Sequence, residues 1–161
     1  MPMDHAPTPL TRGAHDDLQR ELEQLRTVGR QEVAEQLRDA RESELDQDED
    51  VVTALEAARE RQSFLEGRIQ QLEQTLAQAT IIDEAAVQRS DVAQVGSVVV
   101  VEQAGRERTY QIVSAIEADA GAGKISDASP IGAALLGRRV GETVEVAVPA
   151  GRQQLRITAL R

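Results

Sequence analysis

A chain of 161 residues has room for one domain or two small ones, and its net charge of −10 comes from 28 acids set against 18 bases. With no cysteine, one phenylalanine and one tyrosine, disulfides, thiolate metal sites and cysteine nucleophiles are excluded, and any core is aliphatic. The acidity is concentrated early: residues 1–80 hold 18 acids and 9 bases, residues 81–161 hold 10 and 9. The first half therefore points to a basic cavity, a metal ion or a positive protein surface, not directly to a nucleic-acid backbone.

Residues 1–9 carry Pro2, Pro7 and Pro9 and no basic segment followed by an apolar one, so they are expected to be a flexible lead-in, not a secretory signal. No apolar run approaches the ~20 residues that span a bilayer, which points to a cytoplasmic protein. Thr11 is placed to cap a first helix, with Asp16 and Asp17 in its opening turns. Leu18, Leu22 and Leu25 recur at helical spacing, and after a looser stretch Val33, Leu37 and Ala40 follow. Gly29 weakens the middle of this helix by about 1 kcal/mol relative to alanine.

Residues 42–50 then place six carboxylates among nine residues: Glu42, Glu44, Asp46, Asp48, Glu49 and Asp50. Beyond them Leu55, Ala58, Gln62, Leu65, Ile69, Leu72, Leu76 and Ala79 alternate steps of three and four, a coiled-coil seam in which Gln62 is the polar position expected to fix register. A helix from Asp50 to Ala79 is about 45 Å long. Two such helices joined by a short turn predict an antiparallel hairpin over residues 10–80, with an acidic knob at its end.

Residues 81–95 are expected to be a linker. Four β-branched runs follow, at residues 97–102, 108–113, 142–148 and 154–160, punctuated by Gly96, Gly105, Gly141 and the Pro149-Ala150-Gly151 turn. Ser129 and Pro130 open a short helix, Ile131 to Leu136, that Gly137 stops. The fold class is α+β: a helical hairpin, then a small antiparallel sheet domain over residues 96–161 with one short helix.

Catalysis by the chain itself is not expected. There is no nucleophile–His–acid set, and Gly121-Ala122-Gly123-Lys124 lacks the spacing of a phosphate loop. Asp46, Asp48, Glu49 and Asp50 offer hard oxygen ligands for Mg²⁺ or Mn²⁺. Asp46-x-Asp48-x-Asp50 begins like a calcium loop but lacks the glycine and the distal glutamate. The plain alternative is a solvated turn, although six acids repelling one another at a rod's end suggest use on a partner.

Three stretches carry a family resemblance: Leu10-Thr11-Arg12-Gly13 with Leu18, Glu21-Leu22 and Leu25; Ala57-Ala58-Arg59-Glu60-Arg61-Gln62 followed by Glu66-Gly67-Arg68-Ile69; and Lys124-Ile125-Ser126-Asp127-Ala128-Ser129-Pro130-Ile131-Gly132 with Ala134-Leu135-Leu136-Gly137. In this order they resemble the bacterial Gre transcript-cleavage factors over nearly all of residues 10–161. The resemblance implies a coiled-coil domain, an FKBP-like domain without isomerase activity, and a monomer that binds RNA polymerase. It also implies that the globular domain docks at the rim of the secondary channel, with Asp127, Ser129, Pro130 and Ile131 as docking residues and Arg138 and Arg139 assisting. The rod would then bring its acids to the polymerase's catalytic Mg²⁺, the chain holding no cofactor of its own.

At the tip the sequence departs from the cleavage-competent pattern of Asp, Glu three residues on, then Asn and a nearby Tyr. Asp46 has Glu49 at that spacing, but Asp50 and Val51 follow, and the tip has no tyrosine. In this it is similar to the acid-tipped Gre-factor homologues of the Deinococcus–Thermus lineage, which inhibit or pause polymerase. Three functions are thus expected: inhibition or pausing from the secondary channel, stimulation of cleavage through Asp46 and Glu49, or a scaffold that uses only its surfaces.

Overall fold

Leu18, Leu22 and Leu25 begin a stripe that, at strict heptad spacing, would continue through residues 29, 32 and 36; Val33, Leu37 and Ala40 instead resume it one residue late. The chain absorbs that extra residue in a wider turn. In the structure, a computed structural model describing residues 7–43 and 49–161, helix α1 (Arg12–Gln24) runs into a π-helical turn at Leu25–Gly29 and then into α2 (Arg30–Ser43). A π turn inserts one residue per turn and rotates everything beyond it. The Thr27 hydroxyl donates to the Glu23 carbonyl at 2.8 Å, a back-bond that competes with the helix ladder. Gly29 has a packing reason here: a Cβ on it would sit 3.0 Å from Leu65 Cδ1.

Helix α3 (Glu49–Gln78) supplies the other half of the hairpin. Leu22, Leu65, Ile69 and Leu72 form its buried cluster, with Leu18, Leu25, Val33 and Leu76 packed around them. The ion pairs fix the sense of pairing. Arg30 grips Glu66 through two 2.9 Å hydrogen bonds, and six residues further along α2 Gln36 accepts from Arg61, five residues back along α3. Partners advance on one helix as they retreat on the other, so the pair is antiparallel. The hydrogen bond with Glu66 holds the Arg30 guanidinium above its ordinary pKa, and the same bond holds the Glu66 carboxyl below its own. Arg68, bidentate to Glu21 at 2.7 and 3.0 Å, is likewise raised by that hydrogen bond. Gln62, expected in the seam, is exposed. It borders an open hollow of about 590 Å³ with Ala34, Leu37, Arg38 and Arg41.

The chain divides into two compact units, residues 16–78 and a second made of the residues up to His15 with residues 79–161. In the second, strand β1 (Thr8–Leu10) pairs in parallel with β2 (Ala79–Ile81), and the Ile82 amide extends the ladder to the Leu10 carbonyl at 2.9 Å. The end of the expected lead-in is therefore a strand, because Leu10 is fully buried and needs a partner for its backbone; residues 1–6 lie outside the described residues. Residues 81–95, expected as a linker, carry a short helix α4 (Glu84–Gln88) capped by Asp83, whose carboxylate accepts from the Ala86 amide. Their end is packed as well: buried Ala93 exchanges backbone hydrogen bonds with Gly137 and Arg138.

The sheet has five strands: β3 (Val98–Gln103), β4 (Arg106–Val113), β5 (Lys124–Ser126), β6 (Thr143–Val148) and β7 (Gly151–Leu160), in the order β5-β4-β3-β7-β6. All neighbours are antiparallel except β5, a short parallel edge on β4 that the sequence reading lacked. A two-residue turn joins β3 to β4, with Ala104 at φ 50° and Gly105 at φ 74°, the positive angles such a hairpin turn requires. Alternate residues Val99 and Val101, Val144 and Val146, and Leu155 and Ile157 join Ile112 and Ala93 in the core, which Leu135 of helix α5 (Pro130–Leu135) closes.

Candidate functional site

The turn after β5 is built almost wholly from two serines. Asp127's amide donates to the Val113 carbonyl at 2.8 Å, carrying the parallel ladder one residue past the strand. The Ser126 hydroxyl then accepts from the Ala128 amide at 3.1 Å, and the Ser126 carbonyl accepts from both the hydroxyl and the amide of Ser129, at 2.6 and 3.0 Å. Ser129 caps α5 by accepting from the Gly132 amide at 3.0 Å, and Pro130 opens the helix where its missing N–H costs nothing. Gly132 is buried against this turn; a Cβ there would lie 2.0 Å from the Ser126 carbonyl oxygen.

The four expected docking residues are thus neighbours but do different work. Ser129 is spent on the cap, and Ile131 packs against the sheet core. Pro130 is exposed together with Ala128. Asp127 is half-buried, and its backbone continues the sheet ladder. Nearby, exposed Arg138 and Arg139 pair loosely with Glu142 at 3.6 Å and Asp91 at 3.4 Å.

At the other candidate site, Asp46 and Asp48 lie outside the described residues. Glu49 and Asp50 are the first two residues of α3. Among the described residues no group of three or more His, Cys, Asp or Glu side chains is arranged to hold a metal ion, and no helix is long and apolar enough to cross a membrane.

Glu117 was not singled out in the sequence. Its side chain is 5 % exposed. Its carboxylate accepts from the Thr11 hydroxyl at 2.6 Å and the Thr11 amide at 3.2 Å, with Lys124 Nζ 3.5 Å away. Thr11 Oγ1 also accepts from the Ala14 amide at 3.2 Å, the expected cap of α1. The Thr11 cap is therefore clamped from below by a carboxylate 106 residues away.

The chain matches the family described as "Transcription elongation factor, N-terminal" over residues 8–81 and "Transcription elongation factor, GreA/GreB, C-term" over residues 88–161. It is 43% identical over 158 residues to "Transcription elongation factor GreA" of Caldanaerobacter subterraneus subsp. tengcongensis, covering 96% of this chain and 98% of that one. With the protein of the same name from Streptococcus mutans serotype c it shares 39% over 156 residues, covering 95% and 94%. A crystal structure of GreA factor homolog 1 (Gfh1) of Thermus thermophilus is 36% identical, covering 96% of this chain and 99% of that one with a TM-score of 0.44. Matched along both halves and at this identity, the chain belongs to the GreA/GreB family of transcription elongation factors.

Proposed function

We propose that the protein binds bacterial RNA polymerase in the cytoplasm and regulates elongation from the secondary channel. The rod-like hairpin enters the channel while the turn at residues 127–131 docks at its rim. The observation that carries this reading is the full-length match to proteins named transcription elongation factor GreA, at 39–43% identity over 94–98% of their length. The 30 residues of α3, about 45 Å of helix, supply the reach. The chain acts on the polymerase's own active site and performs no reaction itself.

The relatives' names favour stimulation of transcript cleavage, with Asp46 and Glu49 helping to hold a second metal ion for two-metal chemistry. A second reading, inhibition or pausing, is favoured by the tip sequence, where Asp50-Val51 stands in place of the Asn and no tyrosine follows. In it Asp46, Asp48, Glu49 and Asp50 engage the catalytic Mg²⁺ or Mn²⁺ without orienting a cleaving water. Backtracked elongation complexes separate the two. Faster RNA cleavage supports the first, slower nucleotide addition without faster cleavage supports the second, and neither effect with no binding sinks both in favour of a scaffold.

A further inference from the structure

One stripe of α3 is left out of the hairpin's own packing. Phe64, the chain's only phenylalanine, is 81 % exposed. Three residues on, Gly67 interrupts a 30-residue helix with a poor helix former. Among the described residues nothing requires a glycine there: a Cβ on Gly29 would crowd Leu65 and one on Gly132 would strike Ser126, but one on Gly67 would meet nothing within 4 Å. On one side of the ring Ser63, Gly67 and Gln71 border an open groove of about 520 Å³, and on the other Leu25 and Leu65 border a hollow of about 420 Å³. An aromatic knob stands beside a notch where another backbone can approach closely, and Glu60 and Arg68, of opposite charge, rim it. An apolar centre with a polar rim is the anatomy of an interface anchor.

We propose that Phe64 and Gly67 form an anchor by which the hairpin grips RNA polymerase. The ring enters an apolar recess of the polymerase, and a polymerase segment lies against the notch at Gly67. This rests on the polymerase-binding reading above. Size selects the occupant. Residues 60–71 span about 18 Å of one helix face, which covers far less than the ~800 Å² per partner of a stable interface. A second copy of the chain would have only this stripe to hold it. A polymerase already engaged at the tip and the docking turn needs no more, since the stripe then adds as an intramolecular contact.

The test is affinity for core RNA polymerase from the same organism, measured by competition, for the unmodified chain, Phe64→Ala and Gly67→Ala, with melting curves and sedimentation of each. Phe64→Ala, at a surface position, keeps the fold and weakens binding about tenfold or more. Gly67→Ala raises the hairpin's melting temperature yet weakens binding, a pair of opposite signs that a structural role alone does not produce. Affinities within twofold of the unmodified chain would overturn the anchor and leave polymerase binding standing. No binding by the unmodified chain would overturn both. A dimer of the unmodified chain that Phe64→Ala dissolves would assign the stripe to a second copy and overturn the proposal.

Discussion

The helical unit and the sheet unit are held by different means. The sheet unit closes nine buried apolar residues into one cluster, six of them at 0 % exposure. The hairpin's cluster holds four, rimmed by half-exposed ion pairs that are each worth little in water. Its polar devices lie on the surface, whereas the sheet unit spends polar groups on part-buried turns and caps such as Ser126, Ser129 and Glu117. The difference teaches where each unit keeps its information: the sheet unit in a fixed shape, the hairpin in what it displays along its length and at its end.

The largest effects should come from the cores. Leu135→Ala opens a cavity under α5 and lowers stability by about 3–4 kcal/mol; denaturant titration should find it lost from the sheet unit, while the helical signal at 222 nm persists. Leu72→Ala, at a site 1 % exposed, should cost the hairpin about 2–3 kcal/mol and remove that helical signal first. If each variant melts both units together, the contrast between them is wrong.

Glu117→Ala strips the acceptor from the Thr11 amide and hydroxyl and should cost about 1–3 kcal/mol. Hydrogen exchange at the Thr11 amide reads it directly, and unchanged protection there would show that the clamp is idle. Ser129→Ala removes the cap of α5 at a cost of about 1 kcal/mol, seen as a small drop in the denaturation midpoint.

The smallest effect sharpens the hairpin side. Glu66 has a lowered pKa through its hydrogen bond to Arg30, so its contribution is complete above the ordinary carboxylate range and is lost as pH falls through the lowered value. Arg30, raised, stays charged throughout that range. Melting temperatures of the unmodified chain and Glu66→Gln should therefore differ slightly at neutral pH and converge in acid, with the gap shrinking in salt.

What was legible in the sequence was whatever repeats locally. Helix α3 and four of the five sheet strands stand in their apolar periods, and Ser129-Pro130 announced its helix. Even the π turn leaves a trace, the one-residue slip between Leu25 and Val33. By contrast β5 is three residues long and gains its identity only from the partner β4, and Glu117 acts on a threonine 106 residues away. Neither has a local signal. The packing of residues 81–95 is silent in the sequence for the same reason, since Ala93 is held by Gly137 and Arg138 from far along the chain. Gln62 failed differently: its spacing was right, but it borders an open hollow and stays in solvent.

The central claim is that the acids at the end of the hairpin act on the polymerase. The most direct measurement follows RNA cleavage and nucleotide addition by backtracked complexes with the unmodified chain and with Asp46, Asp48, Glu49 and Asp50 all changed to alanine. The account predicts that the unmodified chain alters one of the two rates, and that the alanine variant still competes for polymerase but loses the effect. A variant that acts as strongly as the unmodified chain would contradict it.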